Sequence, residues 1–441
     1  MNNKKIYIIV GIVALIIFFV VVLLIIGNIG GGTTQKATLQ FWGVYDDRTA
    51  FEKVIRNFNS LNPNIQIIFT LIPFESYESS LINALAAGNG PDVVMMHHTW
   101  LPRHADKLKP LPAVIPGEKQ PLMSTKIFKD QYVDVAYDDL IVNNQVYALP
   151  LYVDSLALYY NRDLFNVANI TRPPANWDEF NTDVELLTRT DISGNLTQSG
   201  IAMGTAKNVN RSTDILMALM IQSGTNMTDA DHTEATFGTS IDSMAVGERA
   251  LKFYTDFANP AVKTYSWNDS QHYSVDAFTE GRAAMMINYS HQAATLRDKA
   301  SNLNFAIAPL PQVSETDIKN YANYWAVAVS NTSKTPNEAW KFITYLTSKE
   351  GATTYLAETG RSSARRDIIE LQQQDDTLGV FAAQALTAKS WYQVDSKAIE
   401  TIFAEMIDNV NFHRQNVRDA IQSAESKVSV LMSQENARNA K

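Results

Sequence analysis

The sequence predicts an α/β protein of two lobes carried behind an apolar N-terminal segment. Strand-like and helix-like patterns alternate from Thr38 to Met96, which calls for a parallel sheet with helices on its faces. The chain has 441 residues, too many for one ordinary core, so two lobes are expected. Ahead of them, Ile6 to Ile26 carries no charge and is dense in Ile, Val, Leu and Phe.

That apolar run matches the roughly 20 residues a helix needs to cross a bilayer. It exceeds the apolar core of a cleavable signal peptide, and no A-x-A cleavage pattern follows it. Lys4 and Lys5 set the orientation by the positive-inside rule, leaving residues 1–5 in the cytoplasm and the bulk of the chain outside it. Residues 6–26 are thus expected to form a single retained anchor in the cell membrane. Gly30 to Thr34, within residues 27–37, read as a flexible tether.

The lobes begin with a strand at Thr38–Trp42, followed by Phe51, Val54, Ile55 and Phe58 at helical spacing until Asn62-Pro63 ends the run. A β-branched strand at Ile65–Leu71, a helix from Tyr77 closed by Gly88-Asn89-Gly90-Pro91, and a strand at Asp92–Met96 complete a βαβαβ unit. Extended segments flank Pro150, a residue better suited to a crossing between lobes than to a strand interior. Asn176 and Glu179 form a capping box for a helix from Trp177. Ala283–Asn288 and Trp325–Ser330 are strand candidates, Ala339–Leu346 is an amphipathic helix after Pro336, and the tail from Ala398 to Leu431 is helical.

Composition excludes several functions. Asp and Glu number 46 against 37 Lys and Arg, for a net charge of −9, which argues against a nucleic-acid partner. Cysteine is absent, so there is no disulfide, thiolate metal site, cysteine nucleophile or lipidated cysteine. No nucleophile elbow, P-loop, dinucleotide fingerprint or H-E-x-x-H helix occurs. A binding protein without cofactor or metal is expected, rather than an enzyme. His97, His98 and His104 make a poor metal site, because adjacent histidines on an extended segment point apart and no carboxylate at ligand-like spacing joins them.

Several segments together resemble the bacterial extracellular solute-binding proteins that include maltose- and other oligosaccharide-binding receptors. The resemblance is carried in order by Gly88-Asn89-Gly90-Pro91-Asp92-Val93-Val94, Ala105-Asp106-Lys107-Leu108-Lys109-Pro110-Leu111, Asn144 to Pro150 with Leu158 to Phe165, Pro174 to Phe180, Ala277 to Met285, Ala308-Pro309-Leu310-Pro311 and Ala339 to Ile343 leading to Gly360-Arg361. It implies the type II-like periplasmic-binding-protein fold, with discontinuous lobes around a hinge: 38–152 with 325–362, and 153–324 with 363–441. It further implies a monomeric, extracytoplasmic substrate-binding component of an ABC importer, closing on a small solute, above all a carbohydrate, and presenting it to permease subunits. The alternatives are a membrane-anchored sensor reporting to a signalling partner and, less favoured, a glycan-acting enzyme.

Sugars present apolar ring faces and rings of hydroxyls, so their clefts need flat aromatics and paired polar groups. In an open α/β sheet these gather beyond the carboxyl ends of the strands. Tyr45 and Asp46 follow the first strand; His97, His98 and Trp100 follow the third. Tyr289 follows the Ala-Met strand, Trp325 begins the returning strand, and Trp391 with Tyr392 sits in a polar loop of the other lobe. Asp154 is included because it matches an acidic cleft residue of the resembling receptors. Arg361 is taken as structural, near a hinge.

Overall fold

The computed structural model describes residues 36–239 and 245–439. The expected cytoplasmic stub, the anchor at 6–26 and nearly all of the tether lie outside these residues. Among the described residues no helix is long and apolar enough to cross a membrane.

In chain order, the strands that matter here are β1 (Ala37–Gly43), β2 (Ile65–Leu71), β3 (Val93–His97), β4 (Ala148–Pro150), β5 (Asp154–Ser155), β6 (Ala157–Asn161), β7 (Met285–Asn288), β8 (Phe305–Ala308), β9 (Asn320–Asn323), β10 (Trp325–Val329) and β11 (Ala388–Lys389). The helices are α1 (Arg48–Leu61), α2 (Phe74–Ala86), α3 (Ser212–Gln222), α4 (Pro336–Leu346), α5 (Lys349–Thr359), α6 (Ser396–Asn411) and α7 (Val417–Asn439).

The first lobe is a five-stranded mixed sheet in the order β2-β1-β3-β10-β4. The βαβαβ unit is parallel, as the sequence predicts, with β1 beside both β2 and β3. The returning strand β10 runs antiparallel to β3 and β4. Val93–Met96 and all of β10 are buried, which explains their unbroken apolar sequences: a strand in mid-sheet with both faces covered has no face to give to polar residues. On one face, α1 inserts Phe51, Val54 and Phe58. Phe41 meets Phe51 and Phe69 edge-on at 5.0 Å each, and Phe58 meets Phe342 of α4 at 5.2 Å. Each such buried ring contributes roughly 1.5–3 kcal/mol by leaving water. The Asp47 carboxylate accepts from the Thr49 amide at 2.8 Å and caps α1.

The second lobe centres on an antiparallel sheet, β7-β6-β8, with Met285 and Met286 in its core. The predicted cap at Asn176 is present: its Oδ1 accepts from the Glu179 amide at 2.9 Å. The Glu179 carboxylate turns back to the Ala175 amide and to Arg172. The predicted C-terminal helix is two helices, α6 and α7, separated by the turn at Phe412–Asn416.

Between the lobes the chain crosses three times, and the crossings pair with one another. β9 lies antiparallel to β5 and parallel to β11. This small sheet separates two hydrophobic cores. One contains residues from Leu39 to Val153 and from Ala322 to Ile369, together with Ala382, Ala385 and Ala388; the other contains residues from Leu156 to Tyr321 and from Trp391 to Met432, together with Phe381. The first core thus continues past residue 362, because Ile368 and Ile369 pack into it. Short backbone crossings joining two separately packed cores have the structure of a hinge.

Candidate functional site

A cavity of about 640 Å³ lies between the two cores, and both lobes line it. The first lobe supplies the loops after β1 and β3, the start of α2, Trp325 and Arg361; the second supplies the start of α3, the loop after β7 and the first turns of α6. A hollow of about 600 Å³ beside α1 and β2 is lined by the first lobe alone, so lobe closure cannot act on it.

The first-lobe wall is aromatic. Trp325, only 3% exposed, is met edge-on by Trp100 at 5.2 Å, His97 at 5.5 Å, Tyr45 at 5.8 Å and Tyr77 at 6.0 Å. Tyr45 and Phe74 stack at 4.9 Å and remain half exposed, an apolar surface of the kind a sugar ring covers. Tyr45 has φ 65°. The left-handed region costs a non-glycine residue roughly 1–2 kcal/mol, and such strain concentrates at ligand clamps.

His97 is half-buried, and its desolvation drives its pKa well below the usual histidine range, with nearby His98 adding to the effect. The neutral ring bonds through Nδ1 to Thr99 Oγ1 at 2.8 Å and contacts Asn323 Oδ1 at 3.3 Å through Nε2. His98 lines the cavity from below: its Nδ1 lies 3.0 Å from Asp139 Oδ2, and its ring stacks on Tyr324 at 4.5 Å. Asp139 also accepts from the Tyr324 hydroxyl at 2.7 Å and from Ser390 beside β11. The hinge crossings are therefore wired to the cavity wall.

Arg361 lies at the back. Its guanidinium donates to Asp46 Oδ1 at 2.7 Å and sits 4.4 Å over the Tyr152 ring. Asp46 Oδ2 accepts from the Tyr355 hydroxyl at 2.6 Å.

Across the cleft, Tyr289 donates through its hydroxyl to Asp214 at 2.8 Å, and Arg211 lies 5.3 Å over its ring. Arg211 is the residue just before α3 and has φ 66°, a second strained position at this site. Asp154 accepts from the Ser155 amide at 2.8 Å, the Ser290 amide at 3.0 Å and the Ser290 hydroxyl at 2.7 Å. It thereby ties the first crossing to the loop after β7. Near the edge of the cleft, Arg103 of the first lobe donates to Asp395 of the second at 2.6 Å, and Arg438 of α7 donates to the Arg103 carbonyl at 2.5 Å.

Burial pushes the Asp154 carboxyl up to about 6, although the Ser290 hydroxyl, the Ser155 amide and Arg361 all favour its charged form. Between the ordinary carboxylate value near 4 and pH 6, the folded chain therefore binds more protons than the unfolded one, and this group makes stability fall as pH rises through that window. A difference of this size corresponds to roughly 3 kcal/mol. Urea denaturation at pH 4 and pH 7 checks it: wild type loses more stability over that interval than Asp154→Asn, whose amide cannot titrate. Parallel losses in the two proteins would remove Asp154 as the cause.

Of the residues the sequence singled out, Tyr45, His97, His98, Trp100, Asp154, Tyr289 and Trp325 all line this one cavity. Three do not. Asp46 lies behind the wall, where its carboxylate is held by Arg361 and Tyr355. Trp391 packs in the second core and directs its Nε1 to Met217 Sδ at 3.4 Å. Tyr392 faces away and stacks on His232 at 4.3 Å. Side-chain direction in an irregular loop has no period to read, so their neighbourhood was legible and their orientation was not. Sequence reasoning also missed Arg211, Asp214, Tyr152 and His291, all lining residues. The available signal was Arg211-Ser212-Thr213-Asp214 ahead of the apolar run Ile215–Met220, a helix start with a charged residue on its threshold. Among the described residues no cluster of His, Asp and Glu is arranged to hold a metal.

Fold and cavity define a class: a two-lobed α/β protein with a cavity between its lobes. The chain belongs to the bacterial extracellular solute-binding protein family, which it matches over residues 43–353. Its relatives are solute receptors and not enzymes. A binding protein of Brucella abortus is 26% identical over 315 residues, covering 70% of this chain and 71% of the relative. The maltotriose-binding protein of Pyrococcus abyssi is 23% identical over 317 residues, 70% of this chain and 61% of the relative. In three dimensions the chain is similar to the sugar-binding protein MalE of Xanthomonas citri, with a TM-score of 0.76 and 19% identity, covering 92% of this chain and 100% of that one. At that identity the likeness is one of fold.

Proposed function

We propose that this protein is the membrane-anchored, extracytoplasmic receptor of an ABC importer, with residues 6–26 as anchor, and that it binds a carbohydrate between its lobes and presents it to permease subunits. The observation that carries this reading is the composition of the cavity wall. Tyr45 and Phe74 offer an exposed aromatic pair backed by Trp325, facing the polar groups of Arg211, Asn210 and Asp214 from the opposite lobe. Rings that cover apolar sugar faces and donors that reach hydroxyls from the other side are what a ligand bridging two lobes requires. The naming of relatives as maltotriose- and galactooligosaccharide-binding proteins supports the same ligand class. A solute touching both lobes favours the closed form by its differential affinity, and a permease can distinguish that form.

The test is thermal unfolding of the full chain in mild detergent, screened against mono- and oligosaccharides, amino acids, peptides, polyols and polyamines. A carbohydrate raises the melting temperature by mass action, and Tyr45→Ala weakens that response without lowering the melting temperature of the empty protein, since the ring is 54% exposed. A shift from peptides or polyamines, with none from sugars, would overturn the carbohydrate reading.

A further inference from the structure

We infer that His98 accepts a hydrogen bond from a hydroxyl of the bound sugar through Nε2, and that Asp139, which is not itself a lining residue, is the positioning residue that makes this nitrogen an acceptor. This rests on the carbohydrate-receptor reading of the same cavity and gives one wall residue a direction of hydrogen bonding.

The first lobe brings two histidines to the cavity, His97 and His98. Both nitrogens of His97 are engaged, by Thr99 and Asn323. His98 is engaged at one. Its Nδ1 lies 3.0 Å from Asp139 Oδ2, whereas its Nε2 has no hydrogen-bond partner among the described residues and keeps some accessible surface. The side chain is only 2% exposed, so what little of it is open faces the cavity it lines. Asp214 of the second lobe lies within electrostatic reach of His98, which places the ring toward the space between the lobes.

Asp139 decides what the free nitrogen can do. An ionised carboxylate only accepts, so the contact with Asp139 holds a proton on Nδ1, and in a neutral imidazole the other nitrogen is then a bare lone pair. The carboxylate is itself held: Oδ2 accepts from the Tyr324 hydroxyl at 2.7 Å and Oδ1 from the Ser390 hydroxyl. The His98 ring stacks on Tyr324 at 4.5 Å, which fixes its plane. A buried acceptor left empty is costly, so this position selects a ligand carrying a donor there and penalises one that lacks it. On a sugar that donor is a hydroxyl.

Nitrogen NMR of the full chain in mild detergent, isotope-labelled at histidine, tests the direction at pH 8, above the ordinary histidine pKa of about 6.5. His98 is assigned by the signals missing in His98→Phe, and its Nδ1 is expected to be protonated and its Nε2 bare. Asp139→Asn is expected to keep that form, with the amide oxygen facing His98 and the amide nitrogen donating to Ser390, whereas Asp139→Leu loses it. Isothermal titration with glucose, maltotriose and galactotriose, each beside its monodeoxy analogues, reads the consequence. One monodeoxy analogue is expected to bind about 10-fold more weakly than its parent, because it leaves the acceptor empty. His98→Phe is expected to bind that pair equally; Asp139→Leu narrows the ratio and Asp139→Asn preserves it. A protonated Nε2 in wild type, or deoxy penalties that all persist in His98→Phe, overturns the inference and leaves the carbohydrate receptor standing. Asp139→Asn and Asp139→Leu behaving alike removes Asp139 as the positioning residue. The wild-type spectrum and the His98→Phe ratio decide the role of His98 even if Asp139→Leu fails to fold. No binding of any sugar overturns both readings.

Discussion

Arg361→Met is expected to destabilise the folded chain by about 3–5 kcal/mol. The Arg361 and Asp46 side chains are only 15% and 10% exposed, and they meet at 2.7 Å. Removing one member of a buried pair leaves the other charge out of water without its partner, which costs far more than the pair contributed. Asp46 would keep only the Tyr355 hydroxyl, and Tyr152 would lose the cation over its ring. The asymmetry supplies the control: Asp46→Asn combined with Arg361→Met removes both charges and is expected to recover a substantial part of the loss, giving a strongly non-additive double-mutant cycle. Urea unfolding followed by tryptophan emission measures it. Additive single and double variants would show that the contact contributes nothing as a pair. The location gives the result functional weight, since the arginine that braces α5 and Tyr152 also opens onto the cavity.

Trp325→Ala is expected to cost about 3–5 kcal/mol of stability and to abolish measurable solute binding. The side chain is almost fully buried at the start of β10, in mid-sheet, and it is the common neighbour of Tyr45, Phe74, Tyr77, His97 and Trp100. Its loss opens a void and also releases the exposed Tyr45–Phe74 pair from its backing. Trp325→Phe separates the two roles: it retains most of the packing and is expected to cost less stability, while the narrower ring supports Tyr45 and Trp100 less well and weakens binding. Titration of each folded variant with the solute found by the thermal screen reads the second effect. Full affinity in Trp325→Ala would show that the indole is core and no part of the platform.

The elements legible in advance were those whose environment has a period or a punctuation. Helix α1 shows one apolar face and stops at Asn62-Pro63; β3 and β10 are unbroken apolar runs; the Asn176 cap announces its helix. Helix α3 was missed because nearly all of its residues are buried. An apolar sequence without a polar face has no 3.6-residue contrast to detect, and the cavity residues that α3 positions, Arg211 and Asp214, went unseen with it. β8 and β9 were missed for another reason. They are four residues each, and they exist by pairing with β6, β5 and β11, strands remote in the chain.

By itself the sequence determined the class of fold, its βαβαβ opening and the supply of aromatic and polar groups at strand ends, because hydrophobic period, turn residues and composition are local properties. Pro150, read as a crossing, instead ends the edge strand β4 and pairs with Ala326, where its missing N–H is tolerated. Tertiary structure decided which of those groups share a cavity. Asp46, Trp391 and Tyr392 are one or two positions from residues that face the cleft, and their exclusion follows from backbone direction and from partners hundreds of residues away, as with Tyr355 and Arg361 for Asp46. A site between two lobes is assembled only when separate cores have packed and the crossings have set their angle, and no local pattern encodes that distance.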